Sequence, residues 1–247
     1  MRSLPDFLLL DLDDTILNFT ATGDQCWESL CISFAPQLCQ ISPDQLLSAI
    51  NQNREWFWSD MERHRNGRFD LQSARRQIVA MAFSQLQIDN HKISEELADS
   101  FTTMREELVQ PFPGSVETFK ILQDHGIRMG LVTNGNAEFQ RSKIRRFHLE
   151  QYFDFILIES EFGVGKPDKR VFKYALKQLG ASPTQAWMIG DDLRFDICPA
   201  QELGMNTVWV SHTKTGLVAN SSVLPTWMIH SLAELLESPS GQAASEQ

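Results

Sequence analysis

The chain has 247 residues, 42% of them apolar, and a formal net charge of −10 at pH 7. Its size permits one large domain or one domain that carries an insertion, and its apolar runs are too short to span a bilayer. The acidic balance argues against nucleic acids and anionic membranes as partners, because both require a basic protein surface.

The first predicted element is a buried strand that leads directly into a cluster of acids. Residues 7–10 are apolar, and Asp11-Leu12-Asp13-Asp14-Thr15 follows them. Open α/β sheets bind ligands beyond the carboxyl ends of such strands. Because side chains alternate along an extended chain, Asp11 and Asp13 are expected on the same side, one to attack a substrate and one to move a proton. Acids after a strand are also common as turn formers and helix caps.

Residues 21–110 contain no convincing strand and are predicted to be all helical. Apolar residues recur with helical spacing over residues 27–34, and residues 71–86 form another apolar stripe. A further helix is predicted between these two stripes, with Ser42 as its N-cap and the proline after it in its first turn. Ser94, followed by two glutamates, is predicted to begin a fourth helix.

From residue 127 the pattern alternates between short apolar runs and helical periodicity, which predicts a parallel sheet. The clearest helix has Asp168 as its N-cap and ends at Gly180. The fold class is therefore α/β, with a helical module inserted after the first strand. The later strands are predicted at residues 127–132, 153–158, 186–189, 207–210 and, more weakly, 227–229.

Two connections join the helical module to the rest of the chain, near residues 17–22 and 110–114, and two thin connections suit a hinge. We therefore divide the chain into a core of residues 1–20 and 111–237, a helical module of residues 21–110, and a tail of residues 238–247 that is predicted to be disordered. The cysteines form no CxxC pair, and the N-terminus shows no signal peptide, which predicts reduced thiols in a cytoplasmic protein.

Polar clusters follow three more of the predicted strands. They are Thr133, Asn134 and Gly135 after the second strand, Lys166 after the third, and Asp191, Asp192 and Asp196 after the fourth. The carboxyl ends of parallel strands share one edge, so these groups are expected to meet the first acids there. Together they provide what phosphoryl transfer requires: a nucleophile, donors for phosphoryl oxygens, a cation, and carboxylates for a hard metal ion.

In order and spacing, four segments resemble the signature motifs of the haloacid dehalogenase-like hydrolase superfamily. The helical module after the first motif resembles the small helical cap of its phosphatase members. The resemblance covers nearly the whole chain except the tail, and it implies a Rossmann-like core with a parallel sheet. The four segments are DLDDT at 11–15, Thr133 in LVTNG, Lys166 in GVGKPDKRVF, and GDDLRFD at 190–196.

The resemblance implies a role for each residue at these motifs. Asp11 is expected to be the nucleophile that forms an aspartyl-phosphate, and Asp13 to protonate the leaving alcohol and then activate water. Thr133 is expected to hydrogen-bond a phosphoryl oxygen, and Lys166 to hold nucleophile and phosphate together. Mg²⁺ is the expected cofactor, bound by Asp191, the Asp11 carboxylate and the backbone carbonyl of Asp13.

Five neighbouring residues also receive assignments. Asp196 is expected to support the metal site from behind its ligands, and Asp192 either does the same or is solvated. Asn134 and Gly135 are expected to bind substrate by presenting backbone donors to phosphate, and the alternative is an ordinary turn. Asp14, where the family commonly has glycine, is expected to cap the turn that follows.

Two basic clusters remain. Residues 56–68 are aromatic and basic, and helix packing with solvated charge would explain most of them. Because caps of the resembled family select the leaving group, residues 63–68 are nevertheless predicted to determine specificity, with Arg68 binding substrate. The second cluster is expected to be a solvated helix face and consists of Arg141, Lys143, Arg145 and Arg146.

The predicted function is Mg²⁺-dependent hydrolysis of a small phosphomonoester. A 2-haloacid dehalogenase attacks carbon, needs no metal, and normally has no acid at the Asp13 position, so Asp13 and Asp191 favour phosphoryl chemistry. A phosphomutase and a non-catalytic binding protein are alternatives. A phosphonate-cleaving relative would need a suitably placed cap lysine, and the only lysine in residues 21–110 is Lys92. Nucleoside monophosphates, sugar phosphates and sialic-acid phosphates are all open as substrates, as is the oligomeric state.

Overall fold

The computed structural model describes residues 4–212 and 223–236. Six parallel strands form one sheet in the order β3-β2-β1-β4-β5-β6. All six predicted strands are confirmed, with ends that differ from the prediction by at most two residues. They are β1 (Phe7–Leu10), β2 (Arg128–Thr133), β3 (Phe155–Ile158), β4 (Ala186–Gly190), β5 (Asn206–Val210) and β6 (Trp227–Ile229).

Strand β1 lies inside the sheet and sets the position of everything that follows it. Its last three residues are fully buried, as an interior strand covered on both faces requires. Leu10 pairs with Leu131 of β2 on one side and with Ile189 of β4 on the other. The strands therefore end together. The chain adds β2 and β3 on one side of β1 and the later strands on its other side, and open α/β sheets commonly bind ligands where the strand order reverses in this way.

Residues Asn18–Gln110 form a compact unit of their own, and the chain up to Leu17 combines with the chain from Pro111 onward in the other unit. The roles of the two units as catalytic core and cap stay predictions. Residues 18–110 contain no strand, as predicted, and their core includes Trp27 stacked on Phe101, with ring centroids 4.0 Å apart. The helices of this unit are α1 (Thr20–Phe34), α2 (Pro43–Ser59), α3 (Met61–Phe69), α4 (Leu71–Gln85) and α5 (His91–Leu108).

Two helix starts in this unit test the predicted caps. Ser42 caps α2 as predicted, and its hydroxyl and the Gln45 side chain form a reciprocal capping box. The predicted start at Ser94 was wrong, because α5 begins three residues earlier. The Asn90 side chain accepts a hydrogen bond from the Ile93 amide at 3.1 Å, which satisfies a first-turn donor and leaves Ser94 inside the helix.

The sheet unit contains the remaining helices. Asp168 caps α9, which ends before Gly180, both as predicted. Phe172 of α9 belongs to a buried cluster that also contains Leu9 and Met188 of the sheet. These helices are α6 (Ser115–Asp124), α7 (Ala137–Arg146), α8 (Glu159–Phe162), α9 (Lys169–Leu179) and α10 (Cys198–Gln201).

Three further expectations concern the chain as a whole. All four cysteines are free, as predicted; Cys26 and Cys31 are buried, Cys198 is partly buried and Cys39 is exposed. Across residues 4–212 and 223–236, no helix combines the length and apolar character needed to cross a membrane. The tail predicted to be disordered, residues 238–247, lies outside the described residues.

Candidate active site

A buried lysine joins two acids that come from distant parts of the sequence. Asp11 directly follows β1, and its backbone N–H donates to the carbonyl of Ile189 in β4 at 3.0 Å. The Lys166 Nζ lies 2.6 Å from Asp11 Oδ1 and 2.6 Å from Asp196 Oδ1. All three side chains are buried, so the charges of this group must balance within the protein.

A third acid completes a group of carboxylates suited to a metal ion. Asp11, Asp191 and Asp196 offer carboxylate oxygens that lie within 4.8 Å of one another. The Thr15 hydroxyl donates to Asp191 Oδ1 at 3.3 Å, and the Trp209 indole donates to the Asp191 backbone carbonyl at 2.6 Å. Hydrogen bonds therefore hold both the side chain and the backbone of Asp191. Carboxylate oxygens at this spacing fit a hard divalent cation such as Mg²⁺.

The pKa values of these groups show a shortage of positive charge. Burial raises the pKa of Asp11 from 3.8 to about 7, with Lys166 opposing the rise and Asp196 adding to it. Burial, with Asp11 and Asp196 nearby, raises the pKa of Asp191 well above its ordinary value. Burial also raises the pKa of Asp196. Burial lowers the pKa of Lys166, but Asp11 and Asp196 outweigh that effect and raise it overall, so a single lysine serves three acids.

Asp196 is placed by a π-helical turn, Leu193–Ile197. Asp192 caps this turn, because its Oδ1 accepts from the backbone amides of Arg194 and Phe195 at 2.7 and 2.9 Å. The second oxygen of Asp196, Oδ2, accepts from the Asp192 amide at 3.2 Å. A Cβ at Gly190 would overlap the Asp196 carboxylate, so only glycine fits there. Asp192 therefore supports the turn that carries Asp196.

The carboxylate of Asp13 meets two side chains of α7. The Lys143 Nζ lies 2.5 and 2.7 Å from its two oxygens, and the Gln140 Nε2 donates to Oδ2 at 3.0 Å. Assigning Lys143 to a solvated helix face was therefore wrong. Lys143 and Gln140 are three residues apart and lie on the same side of α7, which faces the sheet edge. Gln140 was missed, although its polar character one turn before Lys143, on a helix that follows Thr133, is a signal.

The Thr133 motif positions groups at the end of β2. Thr133 is buried, and its hydroxyl oxygen accepts a hydrogen bond from Gln140 Nε2 at 2.6 Å, while its hydrogen makes a long contact of 3.4 Å with the Asn134 carbonyl. Its contact with a phosphoryl oxygen stays a prediction. The Asn134 side chain accepts from the Lys166 amide at 2.7 Å and donates to the Lys166 carbonyl at 2.8 Å. The Gly135 amide donates to Glu159 Oε2 at 3.0 Å. This corrects the expectation that Gly135 presents its amide to phosphate, because a buried carboxylate already accepts it.

Two predicted residues remain. Asp14 has a φ of +59°, and its amide donates to the Leu17 carbonyl at 2.8 Å. Arg68 belongs to the helical unit, on α3, where its Nη1 lies 2.9 Å from His64 Nδ1. Its contact with substrate stays a prediction.

Comparisons with known proteins agree with this geometry. The family model described as haloacid dehalogenase-like hydrolase matches residues 8–210. Pyrimidine 5′-nucleotidase YjjG of Escherichia coli is 28% identical over 93% of this chain and 96% of its own length. The glyceraldehyde 3-phosphate phosphatase of Pyrococcus furiosus is 36% identical, but that match covers only 56% of this chain and 55% of the relative, so the chain spans about half of that protein.

Two solved structures share the fold over almost the full chain. The HAD-hydrolase YfnB of Bacillus subtilis, bound to magnesium, has a TM-score of 0.72 at 24% identity and covers 94% of this chain and 97% of its own. The 2-haloacid dehalogenase of Pseudomonas syringae pv. Tomato DC3000 has a TM-score of 0.60 at 26% identity and covers 95% and 97%.

Proposed function

This chain belongs to the haloacid dehalogenase-like hydrolases, and from that membership we propose that it hydrolyses a small phosphomonoester through a phosphorylated Asp11. The observation that carries the proposal is the convergence of Asp11, Lys166 and Asp191 at one sheet edge, with the Lys166 Nζ 2.6 Å from Asp11 Oδ1. A carboxylate and a phosphate repel each other, so attack needs positive charge at the nucleophile. Lys166 supplies part of it.

The reaction divides into two displacements. In the first, an Asp11 oxygen forms a bond to phosphorus, the bond from phosphorus to the ester oxygen breaks, and Asp13 gives that oxygen a proton. In the second, water attacks the aspartyl-phosphate, Asp13 accepts its proton, and the Asp11 carboxylate is released with phosphate. The Thr133 hydroxyl donates to a phosphoryl oxygen in both steps.

Mg²⁺ fits this site because three carboxylates share one buried cation. The carboxylates of Asp11 and Asp191 and the backbone carbonyl of Asp13 would hold it. When bound, it offsets the charge of the phosphate and of the nucleophile. Both oxygens of Asp196 already accept hydrogen bonds, from Lys166 and from the Asp192 amide, so Asp196 orients Lys166 and is a support rather than a first choice of ligand.

A 2-haloacid dehalogenase is the second candidate, and the likeness to a solved dehalogenase favours it. Two features weigh against this candidate. Asp13 is an acid, as protonation of a leaving alcohol requires, and Gln140 holds it beside Thr133. The cluster of Asp11, Asp191 and Asp196 fits a metal ion, which dehalogenation does not use. The named nucleotidase and phosphatase relatives also act on phosphate esters. We therefore place phosphoryl transfer first.

The relatives differ in substrate, so we propose the substrate class only as small phosphorylated metabolites in the cytoplasm. The likeness to pyrimidine 5′-nucleotidase YjjG spans nearly all of both chains, which puts nucleoside monophosphates first among the compounds to test. Sugar phosphates and sialic-acid phosphates follow. The net charge of −10 disfavours nucleic acid as a substrate.

The test is phosphate release from these compounds and from p-nitrophenyl phosphate. We expect turnover with Mg²⁺, loss of turnover in EDTA, and recovery when Mg²⁺ is restored. Asp11→Asn should abolish turnover without changing the circular dichroism spectrum, whereas Asp6→Asn, at an exposed acid just before β1, should leave turnover unchanged. Retained turnover in Asp11→Asn, or metal-independent halide release from chloroacetate by the unmodified protein, would overturn the proposal.

A further inference from the structure

We propose that Gln140 and Lys143 are positioning residues that hold the Asp13 carboxylate in place for proton transfer to the leaving oxygen. The inference rests on the proposed function, because it assigns these residues to the proton transfer step of that reaction. Neither residue lies in the four motifs that identify the family.

Lys143 and Gln140 hold the Asp13 carboxylate from two directions. The Lys143 Nζ contacts both Asp13 oxygens, at 2.5 and 2.7 Å, and the Lys143 side chain is only 14% exposed. Of the two Asp13 oxygens, Gln140 donates only to Oδ2, at 3.0 Å, and the Gln140 residue is 3% exposed. Contacts to both oxygens fix the position of the carboxylate, and an additional contact to one of them fixes its rotation.

Gln140 also couples Asp13 to the phosphate-binding motif. Its Nε2 lies 2.6 Å from Thr133 Oγ1 and 3.0 Å from the Asn134 carbonyl, as well as 3.0 Å from Asp13. The Thr133 oxygen accepts from Gln140, which directs the hydroxyl hydrogen elsewhere. One amide group therefore sets the relative position of the proton donor and of the hydroxyl assigned to the phosphoryl oxygen.

This arrangement matters most when the leaving group is poor. In the first displacement the bond from phosphorus to the leaving oxygen breaks while the proton moves from Asp13 to that oxygen. A nitrophenolate is stable enough to leave without a proton, whereas a phenolate gains much more from one. Displacing Asp13 should therefore slow the reaction of phenyl phosphate more than that of p-nitrophenyl phosphate, two esters of nearly the same shape.

The experiment compares kcat/KM for these two esters with Mg²⁺ present, because kcat/KM reports the steps up to phosphorylation of Asp11. We expect Lys143→Met and Gln140→Met each to lower kcat/KM for phenyl phosphate by roughly 10- to 100-fold, the scale of a misplaced catalytic group, and for p-nitrophenyl phosphate by about 3-fold or less. Lys143→Arg should recover much of the loss. Arg145→Met, at an exposed cation on the same helix, is the matched control and should change neither ester.

A second measurement separates positioning from general damage. In an Asp13→Asn background, Lys143→Met should cause no further loss, since the group it positions has already been disabled. Equal losses on both esters, or losses that simply add in the double variant, would overturn the inference and leave the proposed function intact. Failure of the unmodified protein to hydrolyse either ester would overturn the proposed function itself, and the inference with it.

Discussion

Asp14 occupies a backbone conformation that few residues adopt, with a φ of +59°. Glycine enters this left-handed region freely, and aspartate does so more readily than most residues because its short polar side chain bonds locally. The resembled family commonly has glycine at this position, and the backbone angle explains why. The acid is therefore tolerated here for its conformation, although its charge also raises the pKa of Asp191, after the larger effects of burial and of Asp11 and Asp196.

Replacing Asp14 by glycine or by valine separates conformation from charge, since both substitutions remove the carboxylate. Valine is β-branched and disfavours a positive φ, so Asp14→Val should unfold more easily than Asp14→Gly by about 1–2 kcal/mol. The free energies of unfolding, measured by urea denaturation in the absence of metal, provide the comparison. Equal stability of the two variants would show that backbone strain at this turn is unimportant.

The site shows which residues can be identified from sequence and which cannot. Asp11 and Lys166 were predicted because each directly follows a recognisable strand or motif, and the sheet edge brings such positions together. Lys143 was misassigned because four cations occupy residues 141–146, and periodicity alone does not say which of them turns towards an acid 130 positions away in the chain. The contacts of α7 with the end of β2 and with the segment that follows β1 distinguish them.

At the scale of an element, the π-helical turn Leu193–Ile197 transmits the effect of Asp192 to the charged centre. Asp192→Ala removes the acceptor for two backbone amides, which should cost about 1 kcal/mol of stability and loosen Asp196. Since Asp196 orients Lys166, we expect the Mg²⁺ concentration for half-maximal turnover to rise several-fold, an order of effect typical of supporting residues at metal sites.

Asp192→Asn is the control for this turn, because asparagine keeps an oxygen acceptor for the two amides but carries no charge. It should behave nearly like the unmodified protein in both melting temperature and Mg²⁺ titration. If instead the two variants lose Mg²⁺ affinity equally, then the charge of Asp192 matters and the cap does not.

Predictions of elements succeeded where one physical signal dominated. The interior strands are short apolar runs bounded by polar turns, and all were found. The start of α2 was found because Ser42 is a good N-cap and the proline after it suits the first helical turn. The start of α5 was missed because Asn90 and Ser94 are both good caps, and only the tertiary packing that buries Ser94 on the helix decides between them.

For the molecule as a whole, the helical unit is the predicted source of substrate selectivity. Arg68 is partly exposed on α3, and a substrate anion would compete with His64 for its guanidinium. We expect Arg68→Ala to lower kcat/KM for the preferred metabolite by roughly 10-fold or more, the worth of a charge-assisted contact, and to leave p-nitrophenyl phosphate almost unchanged. Lys92→Ala, at an exposed lysine of the same unit, is the control. Equal losses on all esters would contradict a role in selectivity.

In the proposed site, metal and proton would compete for the same carboxylates, which links stability to pH. In the metal-free protein the pKa of Asp11 is about 7, and those of Asp191 and Asp196 are also raised. Between an ordinary value of 3.8 and about 7, the folded protein therefore binds more protons than the unfolded chain. Folding stability then falls as the pH rises through this window, and since one pKa unit corresponds to about 1.4 kcal/mol, the loss from Asp11 alone is on the order of a few kcal/mol.

Metal-free protein should accordingly melt at a lower temperature at pH 8 than at pH 5.5, and saturating Mg²⁺ should raise the melting temperature more at pH 8. The rise caused by Mg²⁺ is larger at pH 8 because Mg²⁺ binds the ionised carboxylates, whose uncompensated charge is already present at that pH. At pH 5.5 the carboxylates must first release protons. Thermal melts with EDTA or Mg²⁺ at the two pH values measure both effects.

The Asp11→Asn variant is the control, because asparagine cannot titrate at this position. It should reduce the pH dependence of the EDTA melts, which separates the effect of the site from the general repulsion within a chain of net charge −10. A Mg²⁺ effect that is equal at both pH values, or larger at pH 5.5, would show that these buried acids are not the groups that bind the ion.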